Sequence, residues 1–210
     1  MKNYLVELIG TFFLVLVIGL TVIAPGAGAF APIAIGFTLM VMVYAGGPIS
    51  GAHYNPAVTL AVWMRGKCES KDVAPYMVSQ FLGAILAAWA VDYFKAGTAV
   101  SPATPDVGRA LLNELLFTFA LAYVVLNVAT SQKSAGNSYY GLAIGCTVLA
   151  GAFAGGAISG GAYNPAVAVG ITTMGLSAVG NIWIFVVGNF AGGALAAIVY
   201  RIANPDEYQK

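Results

Sequence analysis

The sequence contains little charge, little histidine and little cysteine, and each shortage excludes a class of protein. Asp, Glu, Lys and Arg make up only 8% of the 210 residues, whereas a soluble domain carries about 25%. The formal net charge of +1 offers no basic surface, so we expect no nucleic-acid partner. One histidine and two cysteines, Cys68 and Cys146, are too few for a metal site or a disulfide framework. We therefore predict no metal and no other cofactor.

Groups for chemical catalysis are equally scarce, and no nucleophile with an adjacent base can be assembled, so we predict that the protein is not an enzyme.

Apolar residues are in excess instead, at 60% of the chain, and the mean hydropathy is +0.84. A membrane-spanning helix needs about 20 apolar residues. Runs of about this length occur at 4–24, 31–48, 73–94, 110–130, 139–157 and 178–201. The sequence therefore predicts a multi-pass membrane protein in a lipid bilayer.

A ten-residue phrase occurs once in each half of the chain. Residues 50–59 read SGAHYNPAVT and residues 159–168 read SGGAYNPAVA, and the same spacing separates QFLGAILAA from NFAGGALAA further on. An apolar stretch, 56–65 or 165–175, follows each phrase and is about half as long as a membrane span. We predict a duplicated unit, with repeat one at about 1–97 and repeat two at about 107–204, in a single transmembrane domain, 1–210.

Each repeat holds three full spans, an odd number, so the second copy must enter the membrane upside down. The predicted fold class is an all-α membrane protein with six tilted transmembrane helices and two re-entrant half-helices in an inverted repeat. If the N-terminus is cytoplasmic, most basic residues face inward and only Lys95 and Arg109 face outward, as the positive-inside rule requires. We expect both termini in the cytoplasm, and a plasma or inner membrane as the location because no intracellular targeting signal is evident.

Asn-Pro-Ala marks the start of a helix in both repeats. Asparagine caps a helix N-terminus with its side-chain oxygen, and proline suits the first helical position, where no N–H is needed. The two starts are predicted to meet in mid-bilayer, each with about half a positive charge. We expect the free amide groups to donate to water there, and the paired helix ends to repel cations and interrupt proton conduction. The residues of the two boxes are Asn55, Pro56, Ala57, Asn164, Pro165 and Ala166.

The segments that precede the boxes are predicted to be non-helical at membrane depth. Such backbone is tolerated only where it is buried in protein or lines a water-filled cavity. Its carbonyl groups would then face a hydrated path. The residues expected to line this path with their backbone are Gly51, Ala52, His53, Gly160, Ala162 and Tyr163.

With two such boxes, the Ser-Gly segments before them and a glutamate in spans one and four, the chain resembles the aquaporin, or major intrinsic protein, family. The resemblance covers almost the whole sequence. It implies a right-handed helix bundle, a homotetramer with a pore in each subunit, and passive conduction of water or small neutral solutes. It also implies that Glu7 and Glu114 brace the loops before the boxes. His53 is expected to be a further buried brace, although a lone histidine could instead gate the pore with pH.

One part of the family pattern is missing. The resemblance places the narrowest part of the pore at Ile35, Ala152, Gly161 and Val167, where water-selective members carry an aromatic residue, a histidine, a small residue and an arginine. The second box here reads NPAV rather than NPAR. We expect a wide, apolar constriction without a fixed positive charge, which would pass glycerol, urea, ammonia or hydrogen peroxide as well as water.

Three alternatives stay open on the sequence. A strictly water-selective channel would need a constriction narrower than these residues imply. An alternating-access transporter would also use inverted repeats with broken helices, although ion coupling usually needs ionisable groups at the midplane, where only asparagine is expected. A non-conducting structural member of the family would carry the same boxes and show no flux.

Overall fold

The computed structural model describes residues 1–208, and most of them lie in helices. Within this range the chain forms α1 (Lys2–Val22), α2 (Ala31–Ser50), α3 (Pro56–Met64), α4 (Ser70–Phe94), α5 (Val107–Val125), α6 (Tyr140–Ser159), α7 (Pro165–Thr173) and α8 (Ile182–Ala203). Shorter turns are 3-10 helices at Gly28–Phe30, Gln132–Ser134, Val179–Asn181 and Pro205–Tyr208, and a π-helical turn at Leu126–Thr130. No strand occurs in the described range, where an isolated bridge joins Ala103 to Ser177.

Six helices, three of them lengthened by the short turns beside them, are long and apolar enough to cross a membrane. The other two, α3 and α7, contain nine residues each and are about 14 Å long, or half the hydrocarbon thickness. They begin at Pro56 and Pro165, where the sequence places a helix start. The predicted fold class, six spans with two half-helices, is therefore confirmed.

The ends of α2 and α6 direct the chain into the segments before the boxes. Each helix stops at a glycine in the left-handed region, Gly51 with φ +84° and Gly160 with φ +95°. Glycine favours this conformation because it has no Cβ atom. The chain leaves both helices sharply and reaches the boxes within a few residues.

The two repeats interlock through their half-helices. α1 packs along α4, α5 along α8, and α2 against α6. Half-helix α3 contacts α4 of its own repeat and α8 of the other, and α7 contacts α8 and α4 in the same way. Alanines that are fully buried, including Ala57, Ala61, Ala84, Ala166 and Ala196, let these helices approach closely. The half-helices are thereby enclosed at the centre of the bundle.

Large apolar side chains cover the outside of the bundle. Trp89, Leu116, Phe153 and Val187 are each more than half exposed. Soluble proteins rarely show apolar surface of this extent, whereas lipid solvates it. The chain is an integral, multi-pass membrane protein.

Gly192 marks one of the closest helix contacts, where α8 crosses α5. A Cβ atom on Gly192 would lie 2.5 Å from the carbonyl oxygen of Leu115. The backbone of α5 cannot move aside as a flexible side chain could, so a residue larger than glycine must push α5 and α8 apart. Gly83 occupies the equivalent place where α4 crosses α1, and an added Cβ atom there would collide with the carbonyl oxygen of Leu8.

We expect Gly192→Ala to lower the thermal stability of the purified protein, because overpacking a tight contact costs about 1–3 kcal/mol. Gly156→Ala is the matched control, since Gly156 is also helical and an added Cβ atom would meet nothing within 4 Å. Thermal unfolding in detergent measures both variants. Equal midpoints for the two would contradict a close α5–α8 crossing at Gly192.

Candidate pore

Each asparagine of the boxes caps its own half-helix. Asn55 Oδ1 accepts the N–H of Ala57 at 2.8 Å, and Asn164 Oδ1 accepts the N–H of Ala166 at 2.9 Å. A second N–H in each helix, at the following valine, lies 3.4 Å from the same oxygen. The oxygens therefore satisfy N–H groups that every helix start leaves without a partner.

The amide nitrogens of the same two side chains join the boxes to each other. Asn55 Nδ2 donates to the carbonyl oxygen of Tyr163 at 2.9 Å, and Asn164 Nδ2 donates to that of Tyr54 at 2.8 Å. The sequence predicts free amide groups, but a carbonyl at membrane depth needs a donor, and the opposite asparagine supplies it. Each amide nitrogen carries two N–H groups, so one on each side remains for a molecule in the path.

The segment before the first box is held by a fully buried carboxylate. Glu7 Oε1 accepts from the Ser50 hydroxyl at 2.7 Å and from the N–H of His53 at 3.0 Å. Its Oε2 accepts from the N–H of Tyr54 at 2.7 Å and from Gln80 Nε2 at 2.8 Å. Tyr54 has φ +49°, an uncommon conformation for a residue with a side chain. Glu7 thus fixes the unusual backbone that presents the Tyr54 carbonyl to the second box.

Glu114 has the same relation to the second box. Its Oε1 accepts from the Ser159 hydroxyl at 2.6 Å and from the N–H of Ala162 at 3.0 Å. Its Oε2 accepts from the N–H of Tyr163 at 2.7 Å. The Glu114 side chain is fully buried, and Tyr163 has φ +50°. Two carboxylates in equivalent helices therefore order two equivalent loops.

The imidazole of His53 is tied to α3 through Thr59. His53 Nδ1 lies 3.1 Å from Thr59 Oγ1. The Thr59 hydroxyl donates to the carbonyl oxygen of Asn55 at 3.0 Å and accepts from Gln80 Nε2 at 3.0 Å. A hydroxyl has a single proton to donate, so His53 Nδ1 must be the donor. The network therefore leaves Nε2 as the ring nitrogen without a role in holding the loop.

Two cavities meet at His53. The outer cavity has a volume of about 360 Å³ and extends from Ser101 and Ser177 to the two box asparagines. The inner cavity has a volume of about 670 Å³ and extends from His53 to residues 131–137. Their names follow the predicted orientation. His53, Val125 and Ile144 line both cavities, so the two cavities adjoin, and the box asparagines line the outer one.

The four residues predicted for the constriction come from three helices and a loop, and the structure brings them together. Ile35, Ala152, Gly161 and Val167 all line the outer cavity. Leu14, Ile18 and Ile144 add further apolar side chains to it. None of the side chains lining this cavity is a lysine or an arginine.

The predicted backbone residues are divided between the cavities, with one difference. Ala52, His53, Gly160 and Ala162 line the outer cavity, and Gly51 and His53 line the inner one. Tyr163 lines neither cavity; its hydroxyl donates to the carbonyl oxygen of Gly151 at 2.8 Å, and its own carbonyl oxygen accepts from Asn55 Nδ2. The other box residues, Pro56, Ala57, Pro165 and Ala166, are buried and line neither cavity.

Sequence reasoning missed the segment that reaches the mouth of the outer cavity. Ser101 and Ala103 belong to the link between the repeats, yet both line this cavity. The N–H of Ala103 donates to the carbonyl oxygen of Leu176 at 3.0 Å, and Asn181 Nδ2 donates to that of Ala103 at 3.3 Å. These bonds join residues far apart in the chain, and no motif signals them.

Comparison with known proteins places this geometry in a family. The sequence model described as "Major intrinsic protein" matches residues 1–200. Aquaporin NIP1-1 of Oryza sativa subsp. japonica is 36% identical over 96% of this chain and 74% of its own length. Glycerol uptake facilitator protein-like 6 of Lactiplantibacillus plantarum is 34% identical over 99% of this chain and 100% of its own.

A solved structure has the same fold. The X-ray structure of the aquaglyceroporin from Plasmodium falciparum superposes with a TM-score of 0.81 and covers 98% of both chains, at 20% sequence identity. This structural match shows the fold alone, whereas the sequence matches show family membership. The chain belongs to the major intrinsic protein family.

Proposed function

We propose that the protein is a passive channel for water and small uncharged solutes, glycerol among them. The observation that carries the proposal is the meeting of two capped half-helices, cross-bonded through Asn55 and Asn164, between two cavities that share His53. Relatives named as aquaporins and as a glycerol uptake facilitator support the same class of solute.

Exclusion of cations and protons rests on the helix ends. The N-termini of α3 and α7 each contribute about half a positive charge to the centre of the path. A water molecule there accepts the remaining N–H groups of Asn55 and Asn164. Its own hydrogens then point away from the boxes on both sides, which interrupts proton transfer along a file of waters.

The selectivity for solutes rests on the wall of the outer cavity. Ile35, Ala152, Gly161 and Val167 leave it without a cation and with little bulk. Apolar side chains accept the carbon atoms of a solute such as glycerol, while Gly160, Gly161 and Ala162, which line the same cavity, offer backbone groups to its hydroxyls. We assign the constriction to these four residues and the bracing of the loops to Glu7, Glu114 and His53.

Further parts of the proposal concern assembly and orientation. We infer a homotetramer with one pore in each subunit, cytoplasmic N- and C-termini, and two inverted repeats at about 1–97 and 107–204. The protein acts as a channel rather than an enzyme. A transporter is disfavoured because the two fully buried acids of the spans, Glu7 and Glu114, already accept from loop N–H groups and serine hydroxyls.

Stopped-flow measurements on proteoliposomes test this function. We expect fast osmotic water flow and uptake of glycerol and urea that rises linearly with concentration and does not depend on an ion gradient. Protein-free liposomes are the control, and reconstituted protein must be quantified. Saturable, gradient-dependent uptake would indicate a transporter, water flow alone a strictly water-selective pore, and no flux through correctly inserted protein a structural role.

A further inference from the structure

A buried ion pair lies at the end of α3 that is remote from the boxes. Arg65 is the C-cap residue that directly follows α3, and its Nη2 atom lies 2.7 Å from Glu207 Oε2 in the short helix Pro205–Tyr208. Both side chains are only 4% exposed. Charged side chains are almost never buried to this degree unless they are paired, and breaking such a pair leaves a charge without compensation. The pair therefore fixes the Pro205–Tyr208 helix against α3.

Aromatic rings enclose the guanidinium group of this pair. Arg65 Cζ lies 5.2 Å from the ring centre of Tyr200 in α8 and 4.6 Å from that of Tyr208. Arg65 Nη1 also donates to the carbonyl oxygen of Glu207 at 3.3 Å. Cation–π contacts of this kind are strongest where water is excluded. The half-helix α3, the helix α8 and the Pro205–Tyr208 helix thus meet at one arginine.

The second carboxylate oxygen of Glu207 holds a different part of the chain. Oε1 accepts from the Ser131 hydroxyl at 2.7 Å and from the N–H of Gln132 at 2.9 Å. Lys133 Nζ adds a longer contact of 3.4 Å to Asn204 Oδ1. Ser131, Gln132 and Lys133 are the first residues of the segment 131–137 between α5 and α6, which we call the inner loop. One carboxylate therefore links the inner loop to Arg65.

The inner loop has the inner cavity on one side and the Glu207–Arg65 pair on the other. Ser131, Gln132, Ser134, Ala135, Gly136 and Asn137 all line the inner cavity. Arg65, Tyr200, Glu207 and Tyr208 do not line it. The attachment consequently lies behind the loop, away from the path.

We propose that Glu207 is a positioning residue that, clasped by Arg65, holds the inner loop away from the path and keeps the inner mouth of the pore open. This inference rests on the proposed channel function. Once the clasp is broken, the loop keeps its bonds to the π-helical turn before it, such as the one from Asn137 Nδ2 to the carbonyl oxygen of Val128 at 2.7 Å, and the longer contact from Lys133 Nζ to Asn204 Oδ1. The Ser131 hydroxyl and the N–H of Gln132 then lose their acceptor outside the loop, and the start of the loop relaxes toward the cavity that it lines.

The charge of Glu207 is secure at neutral pH. The Ser131 hydroxyl above all, the N–H groups of Gln132 and Lys133, and the Arg65 guanidinium lower the pKa of its carboxyl from the usual value. A lowered pKa means that the clasp is fully present above the ordinary carboxyl pKa of about 4.3 and is lost as the pH falls through the folded value. The titratable or charged groups that face the clasp are Arg65, Lys133, Tyr200, Arg201 and Tyr208.

Two variants of Glu207 with one matched control test the proposal. Glu207→Ala removes both acceptor oxygens, whereas Glu207→Gln keeps one acceptor and loses the charge. Glu69→Gln is the control, because Glu69 pairs with Lys71 at 2.6 Å on the surface, with side chains 69% and 74% exposed. Water and glycerol flux are measured per inserted protein at neutral pH, and trypsin cleavage after Lys133 reports the position of the inner loop.

We expect Glu207→Ala to lower both fluxes several-fold and to speed cleavage after Lys133, with Glu207→Gln in between and Glu69→Gln like the wild type. In acid the wild type and Glu69→Gln should lose flux, while the acid-induced loss should be absent or smaller in Glu207→Gln. That difference in pH profile separates positioning from general stability.

Unchanged or faster flux in Glu207→Ala would overturn the proposal, and so would faster cleavage without a change in flux. If Glu207→Ala does not insert, Glu207→Gln decides by the same criteria. A wild type without any flux would contradict the proposed channel function instead, so the two failures are distinguishable.

Discussion

Val167→Arg is expected to lower glycerol uptake by at least about tenfold, an effect that requires an added barrier of only about 1.4 kcal/mol. Val167 lies in the first turn of α7 and lines the outer cavity together with Ile35, Ala152 and Gly161. An arginine there adds length, a fixed charge and up to five N–H donors to an otherwise apolar wall. The narrowed path should still pass water in single file, so water flow should fall much less than glycerol uptake.

Val167→Met separates size from charge in the same experiment. Methionine adds length without donors, so it should reduce glycerol uptake while leaving fewer hydrogen-bonding partners for water than arginine does. Both variants are compared with the wild type in proteoliposomes, with protein content matched. If glycerol uptake is unchanged in Val167→Arg, then position 167 is not at the narrowest part of the pore.

The spans and half-helices are the part of this fold that the sequence predicts best. A bilayer fixes the length of an apolar run, so the predicted 31–48 corresponds to a helix at Ala31–Ser50. Asn-Pro fixes a helix start by capping and by the missing N–H of proline, so the predicted 56–65 corresponds to Pro56–Met64. Local chemistry is sufficient in both cases.

Contacts between distant segments could not be predicted in the same way. The amide of Asn55 has two N–H groups, and only the folded backbone of Tyr163 shows that one of them is used. Ser101 lies in an irregular link with no period to place it at the outer cavity. Glu207 likewise lies in a polar segment after the last span, and its link to the inner loop depends on a partner 76 positions away.

The matching of Glu7 with Glu114 shows where the repeat helps. The two glutamates stand at corresponding places in the two halves, and the structure gives each a loop N–H pair and a serine hydroxyl to accept. The repeat does not predict which other side chains support each loop. In the first half Gln80 Nε2 donates to Glu7. In the second half Asn113 Nδ2 donates to the Ser159 hydroxyl and to the carbonyl oxygen of Gly155. Equivalent backbone roles are thus predictable, and the side chains around them are not.

Glu7→Gln is expected to lower the stability of the protein by roughly 3 kcal/mol or more and to remove most of its flux. A glutamine side chain has one acceptor oxygen and one NH₂ group. In either orientation the NH₂ group faces a backbone N–H, that of His53 or that of Tyr54. These N–H groups cannot rotate away, so one buried donor is left facing another.

The damage should spread from the first box to the second. Tyr54 donates its N–H to Glu7 and offers its carbonyl oxygen to Asn164 Nδ2 at 2.8 Å. When the Tyr54 backbone loses its anchor, Asn164 loses the acceptor that orients its amide. Both boxes then fail to present their N–H groups to the path, although the substituted atom lies in α1.

Thermal unfolding in detergent and water flow per inserted protein, both measured well below the wild-type midpoint, test this coupling. Glu69→Gln makes the same chemical change at the surface, where the side chain is 69% exposed, and should alter neither quantity. A Glu7→Gln protein that is destabilised but conducts normally when folded would limit Glu7 to a role in stability. Loss of flux in the folded protein, in contrast, would mean that the buried carboxylate sets the geometry of the pore itself, because no other change separates the variant from the wild type.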